Sequence, residues 1–263
     1  MNTIESKDNS MIKLLRKLKE KKYRVKEKKF LIEGFRFVEE ALKSKSEIES
    51  IFVLEKSLDK FKNLCTRYNI NNNNCYVVSE GAFKSISDTK NPQGIIAIVK
   101  NKKIALSENK GFYILADKVK DPGNMGTIIR TAHAAGALGV IITKGTVDVY
   151  NEKTLRSTMG SIFYVPIIED YSLKVLEELR ETGFKLLVSS LDTKNNFYDV
   201  DLTGNLIVSV GNEGNGISDD ILSLGDFKVK IPMPGNAESL NVAVACSIMT
   251  FERVRQINTL KFN

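Results

Sequence analysis

The chain has 263 residues, 42% hydrophobic and 27% charged, with 17 Gly and 5 Pro, a globular composition with room for one large or two smaller cores and unlike a disordered or collagenous chain. A single histidine, His133, and three cysteines, Cys65, Cys75 and Cys246, lack the spacing of a Cys/His zinc site and leave His133 as the sole base for any Ser or Cys hydrolase triad. The formal charge of +7 is concentrated, because residues 1–30 hold 11 Lys/Arg against 4 Asp/Glu while the other 233 carry 28 of each sign.

No apolar run reaches the ~18–20 residues of a membrane span. The polar, lysine-rich start has no apolar core of a signal peptide, so the expected location is cytoplasmic. The three cysteines read as free, buried structural thiols. His133 reads as structural.

In chain order, Ile12, Leu15 and Leu18 share one face of a helix over residues 12–19. Phe30 to Ile32 reads as a strand ending at Gly34, and Phe35 to Lys43 as a helix with Val38, Ala41 and Leu42 on one side. Ile51 to Leu54 is a strand, Leu58 to Tyr68 a helix ended by the polar run Asn69 to Asn74, and Tyr76 to Val78 and Gly94 to Val99 are further strands. This alternation makes a small α/β domain. Residues 100–111, with four lysines and few apolar groups, separate it from the rest, giving domains 1–105 and 106–263.

The second domain opens on the strand Phe112 to Ala116, followed by the loop DKVKDPGNMG and a helix from Met125 to Ala135 that closes at Gly136. Gly139 to Thr143, Phe163 to Ile168, Phe184 to Ser189, Leu206 to Val210 and Lys228 to Ile231 read as strands, and Leu173 to Thr182 as a helix. Continuous apolar runs suit parallel strands buried on both faces. The last helix, Asn241 to Ile257, is apolar nearly all round between Asn241 and Met249, so it is expected to be buried on several sides and to pack against a second subunit.

Three loops follow strands in this domain. The first is Asp121 to Gly126 with Arg130 one turn into the helix beyond, the second Gly211-Asn212-Glu213-Gly214-Asn215-Gly216, and the third Ile231-Pro232-Met233 followed by Ser239-Leu240-Asn241. In an open parallel sheet such loops converge on one ligand crevice. Taken singly, the glycines need do no more than form tight turns, with Ser218 capping a following helix, and Arg130 and Glu213 could form an ordinary ion pair.

Asn124-x-Gly126-x-x-x-Arg130, Gly211-Asn212-Glu213-Gly214-x-Gly216 and Ile231-Pro232-Met233 with Ser239-Leu240-Asn241-Val242, in that order, resemble the three motifs of the SpoU (TrmH-type) RNA 2′-O-ribose methyltransferases of the SPOUT superfamily. The resemblance spans residues 112–258. More loosely, Lys22-x-Arg24 and Phe30-x-x-Glu33-Gly34 resemble the ribosomal-protein-like substrate-binding domain of many members.

The resemblance implies an α/β fold with a trefoil-knotted, mainly parallel methyltransferase domain, S-adenosylmethionine as methyl donor, and a homodimer with catalytic groups contributed across the interface; no metal is implied. It assigns Asn124, Arg130, Glu213, Ser239 and Asn241 to catalysis. Donor contacts fall on Ser190, Leu191, Gly211, Gly216, Ile231, Met233 and Leu240. Arg130 acts either as base or, staying protonated, as a phosphate-orienting group that stabilises the alkoxide. Asn124 positions substrate or Arg130, Glu213 orients the arginine, and Ser239 and Asn241 hold the ribose and its phosphate.

The basic start supplies candidate RNA contacts at Lys17, Lys21, Lys22, Arg24 and Lys26. The two-domain build points to rRNA, the large-subunit species first, as substrate. The rivals are a tRNA 2′-O-methyltransferase, a noncatalytic RNA-binding or ribosome-assembly protein, and a nucleotide-dependent oxidoreductase; the last is disfavoured because no G-x-G-x-x-G follows Ala116.

Overall fold

Ile12, Leu15 and Leu18 do bury one side of a helix in the computed structural model, which describes residues 1–87, 92–101, 106, 110–235 and 237–262. The chain divides into two units, Met1–Lys103 with Tyr150–Leu155, and Ile104–Val149 with Arg156–Asn263.

The first unit runs β1 (Asn2–Ile4), α1 (Ser10–Leu18), α2 (Lys21–Glu27), β2 (Lys29–Glu33), α3 (Phe35–Lys43), β3 (Ile48–Leu54), α4 (Leu58–Tyr68), β4 (Cys75–Val78), α5 (Glu80–Lys84) and β5 (Ile95–Lys100). Its sheet has the order β1-β4-β3-β5-β2, with β1, β4 and β3 parallel and β5 antiparallel to β3 and β2. The Asn9 side chain caps α1 by accepting from Met11 N–H at 2.8 Å. The core joins Ile12, Leu15 and Leu18 to Phe52, Val78, Phe83 and Ile98. Tyr150 belongs with this unit because its ring lies 4.9 Å from that of Phe30 and its hydroxyl donates to Asn101 Oδ1 at 2.8 Å.

The second unit begins with β6 (Phe112–Ala116), α6 (Pro122–Ala134) and β7 (Gly139–Ile142), takes the last three residues of α7 (Glu152–Thr158), whose first four fall in the first unit, and continues with β8 (Ile167–Glu169), α8 (Lys174–Glu181) and β9 (Lys185–Ser189). It ends with β10 (Leu206–Val210), α9 (Asp219–Leu224), β11 (Phe227–Val229) and α10 (Val242–Phe262). All six strands pair in parallel, in the order β11-β9-β10-β6-β7-β8. The chain moves outward from β6 through β7 to β8, then returns to the other side. The order therefore reverses between β6 and β10, and the loops after Ala116 and Val210, which face each other in register, flank a switch point.

Several local expectations are corrected. The loop DKVKDPGNMG is helical from Pro122, because Asp121 caps α6 by accepting from Asn124 N–H at 2.8 Å and proline fits a first helical turn. Arg130 thus stands just over two turns into α6. Phe163 to Ile168 is not one strand: a 3-10 turn covers Ser161–Phe163 and β8 starts only at Ile167, after Pro166, which has no N–H to give a ladder. The Ser218 side chain makes no capping bond to α9. Among the cysteines, Cys75 and Cys246 are buried and Cys65 is half-buried, all three as free thiols. His133 is exposed, with its ring stacked 4.6 Å from Tyr164 and Nδ1 3.2 Å from Ser161 Oγ. No helix among the described residues is long and apolar enough to cross a membrane.

Candidate active site

Each of the three motif loops leaves the carboxyl end of a parallel strand, so they emerge on one edge of the second sheet. After β10 the chain turns back at once. Asn212 and Gly216 exchange two backbone hydrogen bonds, 2.8 and 2.9 Å, and Asn212 Oδ1 accepts from the N–H groups of Gly214 and Asn215, both at 3.0 Å. This closure presses Gly211 onto the exit of its own loop. A Cβ there would lie 2.1 Å from Gly216 C and 2.2 Å from Ile217 N, so only glycine fits.

The turn presents Glu213 to the start of α6. Oε1 accepts from Asp121 N–H and Asn124 Nδ2, both at 3.0 Å, and Oε2 accepts from Lys120 N–H at 3.1 Å and Asn212 Nδ2 at 3.4 Å. Burial pushes the Glu213 carboxyl up, but the hydrogen bonds, led by that from Asn124, outweigh it and hold it below the usual carboxylate range. Asn124 Oδ1 in turn accepts from Asn241 Nδ2 at 3.0 Å. Asn241 is itself held at the start of α10, where its Oδ1 accepts from Ala243 N–H at 2.9 Å and Val244 N–H at 3.3 Å. One asparagine thus links all three motifs.

Arg130 is not part of this chain of contacts. Its side chain is exposed and makes no hydrogen bond or ion pair with the described residues, so it forms no ion pair with Glu213 of the same chain. Ser239 is likewise exposed and makes no hydrogen bond with the described residues.

A second group of expected positions lies around β11. Ser190 N–H donates to Val229 O at 2.9 Å and Phe197 N–H to Lys230 O at 3.0 Å, so residues 190–197 run beside the exit of β11. Leu191 is 57% exposed and Leu240 37% exposed. Ile231 and Met233 are half-buried, and Gly216 is exposed in the left-handed region at φ 69°. Large apolar groups left open beside tightly drawn backbone suit the flat face of a heteroaromatic ring.

In the first unit, Lys17, Lys21, Lys22 and Lys26 are exposed, and the Lys17 and Lys22 ammonium groups lie 5.7 and 4.8 Å from the Tyr23 ring centroid. Lys22 also pairs with Glu20 at 2.9 Å. Arg24 departs from expectation: it is buried and donates from Nη1 to the carbonyls of Leu18 and Lys19. The break between α1 and α2 leaves those carbonyls without helical partners, and the guanidinium meets that need rather than a phosphate. Sequence reading gave no role to Asp117, Asp121 or Asn212, although the last two stand in the motif loops. Asp-Pro before an apolar helix signals the cap at Asp121, whereas Asp117 was marked only as the first polar residue after the apolar strand β6.

The SpoU rRNA Methylase family model matches residues 111–251 and an MRM3-like substrate binding domain matches residues 9–97. The 23S rRNA (guanosine(2553)-2′-O)-methyltransferase RlmP of Bacillus subtilis is 38% identical over 253 residues, 95% of this chain and 98% of that protein. An AdoMet-bound rRNA methyltransferase from Sinorhizobium meliloti superposes with a TM-score of 0.85 at 29% identity, covering 97% of this chain and 98% of that one. The SpoU methyltransferase AviRb from Streptomyces viridochromogenes, in complex with AdoMet, superposes with a TM-score of 0.84 at 26% identity over 95% and 98% of the two chains. The second unit therefore has the parallel-sheet α/β fold of these methyltransferases. A family model spanning more than half of the sequence, with a relative aligned along nearly all of it, makes this chain a member of the SpoU rRNA methylase family.

Proposed function

We propose that the protein transfers a methyl group from S-adenosylmethionine to a ribose 2′-hydroxyl of large-subunit rRNA, in the cytoplasm, with residues 1–105 as its RNA-holding domain and residues 106–263 as its methyltransferase domain. The observation that carries the reading is the Glu213–Asn124–Asn241 linkage, which joins three separate motifs at the carboxyl edge of the sheet. Mapping 2′-O-methyl groups on RNA from cells with and without the gene tests it. Loss of one mark on 23S-type rRNA is expected; an unchanged rRNA map, or loss of a tRNA mark instead, overturns the substrate.

The residues present fit the donor. Gly211 leaves no room for a side chain, and Leu191 and Leu240 offer open apolar surface; with Ser190, Gly216, Ile231 and Met233 they would hold it. When bound, the donor supplies an electrophilic methyl group on a sulfonium. The chain must align the ribose hydroxyl and favour loss of its proton. Glu213 is a carboxylate already accepting four N–H groups, so its role is to hold Asn124 and the start of α6 rather than to take that proton. Its ionised form is favoured above its depressed pKa and lost only as pH falls through it, so no activity change between about pH 5 and 9 should trace to Glu213. A pH–rate profile of the wild type against Glu213→Gln checks this. Arg130, permanently charged and open, orients a phosphate and stabilises the alkoxide. Ser239 and Asn241 hold the ribose.

The reading includes a homodimer. α10 buries Val242, Ala243, Cys246 and Met249 against its own chain but leaves Val244 48% and Phe251 47% exposed. Its first half is thus not buried on every side, and a second copy covering that face would remove it from water. Light scattering should give a dimer at micromolar concentration, and Val244→Glu with Phe251→Glu should give monomers.

The lysines of α1 and α2 supply the grip on RNA phosphates. Reversing Lys17, Lys21, Lys22 and Lys26 to Glu should weaken RNA binding and flatten its log–log salt slope by about 0.7 for each phosphate no longer neutralised. Donor affinity should stay unchanged. Unaltered RNA affinity and slope would mean that RNA is gripped elsewhere.

A further inference from the structure

Asp117, the residue after β6, has a carboxylate only 1% exposed. Its two oxygens serve two different loops. Oδ1 accepts from Thr143 Oγ1 at 2.7 Å, just beyond β7, and Oδ2 accepts from Ser218 N–H at 2.7 Å, where the Gly211–Gly216 turn passes into α9. The Asp117 N–H donates to Val210 O at 2.8 Å, at the end of β10. Thr143 Oγ1, itself buried, also accepts from Lys118 N–H at 3.1 Å. One side chain therefore ties together the carboxyl ends of three neighbouring strands.

Such a carboxylate is costly to bury, and no ion pair offsets it among the described residues. Two short hydrogen bonds stabilise it instead. What they restrain is specific. The turn carrying Glu213 is anchored at its entry by Val210 and Gly211 and at its exit by Ser218, and Asn212 Nδ2 donates to Lys118 O at 3.0 Å. Lys118 has a left-handed backbone, φ 53°, an uncommon state for a residue with a side chain, and its N–H is the one bonded to Thr143. Both sides of the Glu213 contact, the turn and the Lys120–Asp121 amides, thus hang from the Asp117–Thr143 pair.

We infer that Asp117 is a positioning residue for methyl transfer, acting with Thr143 to hold Glu213 against the start of α6 and so to fix Asn124 and Asn241. The inference rests on the reading of those three residues as the site. Thr143→Val deletes the hydroxyl at nearly constant shape, Thr143→Ser restores it, and Asp117→Asn keeps size and one acceptor. At saturating donor and RNA, Thr143→Val and Asp117→Asn should each lower kcat by at least about 10-fold, since misplacement of about 1 Å can cost 10²-fold. RNA KM should stay near wild type and Thr143→Ser should recover kcat. In a double-mutant cycle, Thr143→Val with Glu213→Gln should lose no more than Glu213→Gln alone. If Thr143→Val does not fold, Asp117→Asn is read through the same cycle. Additive losses, or full activity in both Thr143→Val and Asp117→Asn, overturn the positioning role alone. A Glu213→Gln variant as active as wild type overturns the reading of the site, and the inference with it.

Discussion

Replacing Arg130 by alanine should lower methyl transfer by about 10²-fold or more, the size of effect seen when a positioned charge-stabilising group is lost. Arg130 is exposed on α6 and bonds to none of the described residues, so its removal takes nothing from the fold and stability should change by no more than about 0.5 kcal/mol. Its five donors are open to an anionic ligand, and a guanidinium grips phosphate bidentately where an ammonium acts as a point charge. Arg130→Lys should therefore recover only part of the loss. Single-turnover methylation with thermal melting separates the two effects. Donor affinity should stay at its wild-type value. Near-normal turnover in Arg130→Ala would remove this residue from the mechanism.

The second large effect is expected at Gly211. A methyl group there meets backbone atoms at 2.1, 2.2 and 2.3 Å, none of which can rotate aside. The Asn212–Gly216 bridge would have to open, at a cost of about 3 kcal/mol, near the upper range for overpacking. Donor affinity should fall by at least about 10-fold, and with it the thermal stabilisation that a ligand confers by mass action. Gly214→Ala is the control, because its added methyl meets only Asn212 Oδ1 at 3.7 Å, an ordinary contact. Leu240→Arg supplies an independent check, since it puts a charge on an apolar surface that is already exposed and should abolish donor binding without unfolding the chain. Calorimetry measures all three. A Gly211→Ala protein that binds S-adenosylmethionine like the wild type would place the donor away from this turn.

The reading of the lysine-rich segment changes once tertiary contacts are known. Arg24 sits among lysines in sequence, and charge alone cannot distinguish it from them. Its place just after a helix break points it at two carbonyls that need a donor, whereas the neighbouring lysines reach water. The same logic applies to Glu213. Its charge and its motif are plain in the sequence, but three of its four partners stand 89 to 93 residues earlier in the chain.

The sequence by itself determined the long apolar strands, the amphipathic helices of eight or more residues, and the order of the three motifs, because burial periodicity and motif spacing are local properties. The strands Phe112–Ala116 and Leu206–Val210 and the helices Phe35–Lys43 and Leu58–Tyr68 are read residue for residue. The three-residue strand β1 and the short helices α2, α5 and α7 were not legible. Asn2–Ile4 becomes a strand only by pairing with Tyr76 to Val78, and Lys21–Glu27 is polar nearly throughout. Short, polar elements form because a neighbour supplies hydrogen bonds or an apolar surface, and that neighbour is distant in sequence. Tertiary structure alone decided that Asn124 bridges Glu213 and Asn241, that Arg130 stands apart from both, and that a buried aspartate ties three strand ends together. Each depends on a strand order that places β10 beside β6, a pairing between segments about ninety residues apart that no local pattern encodes.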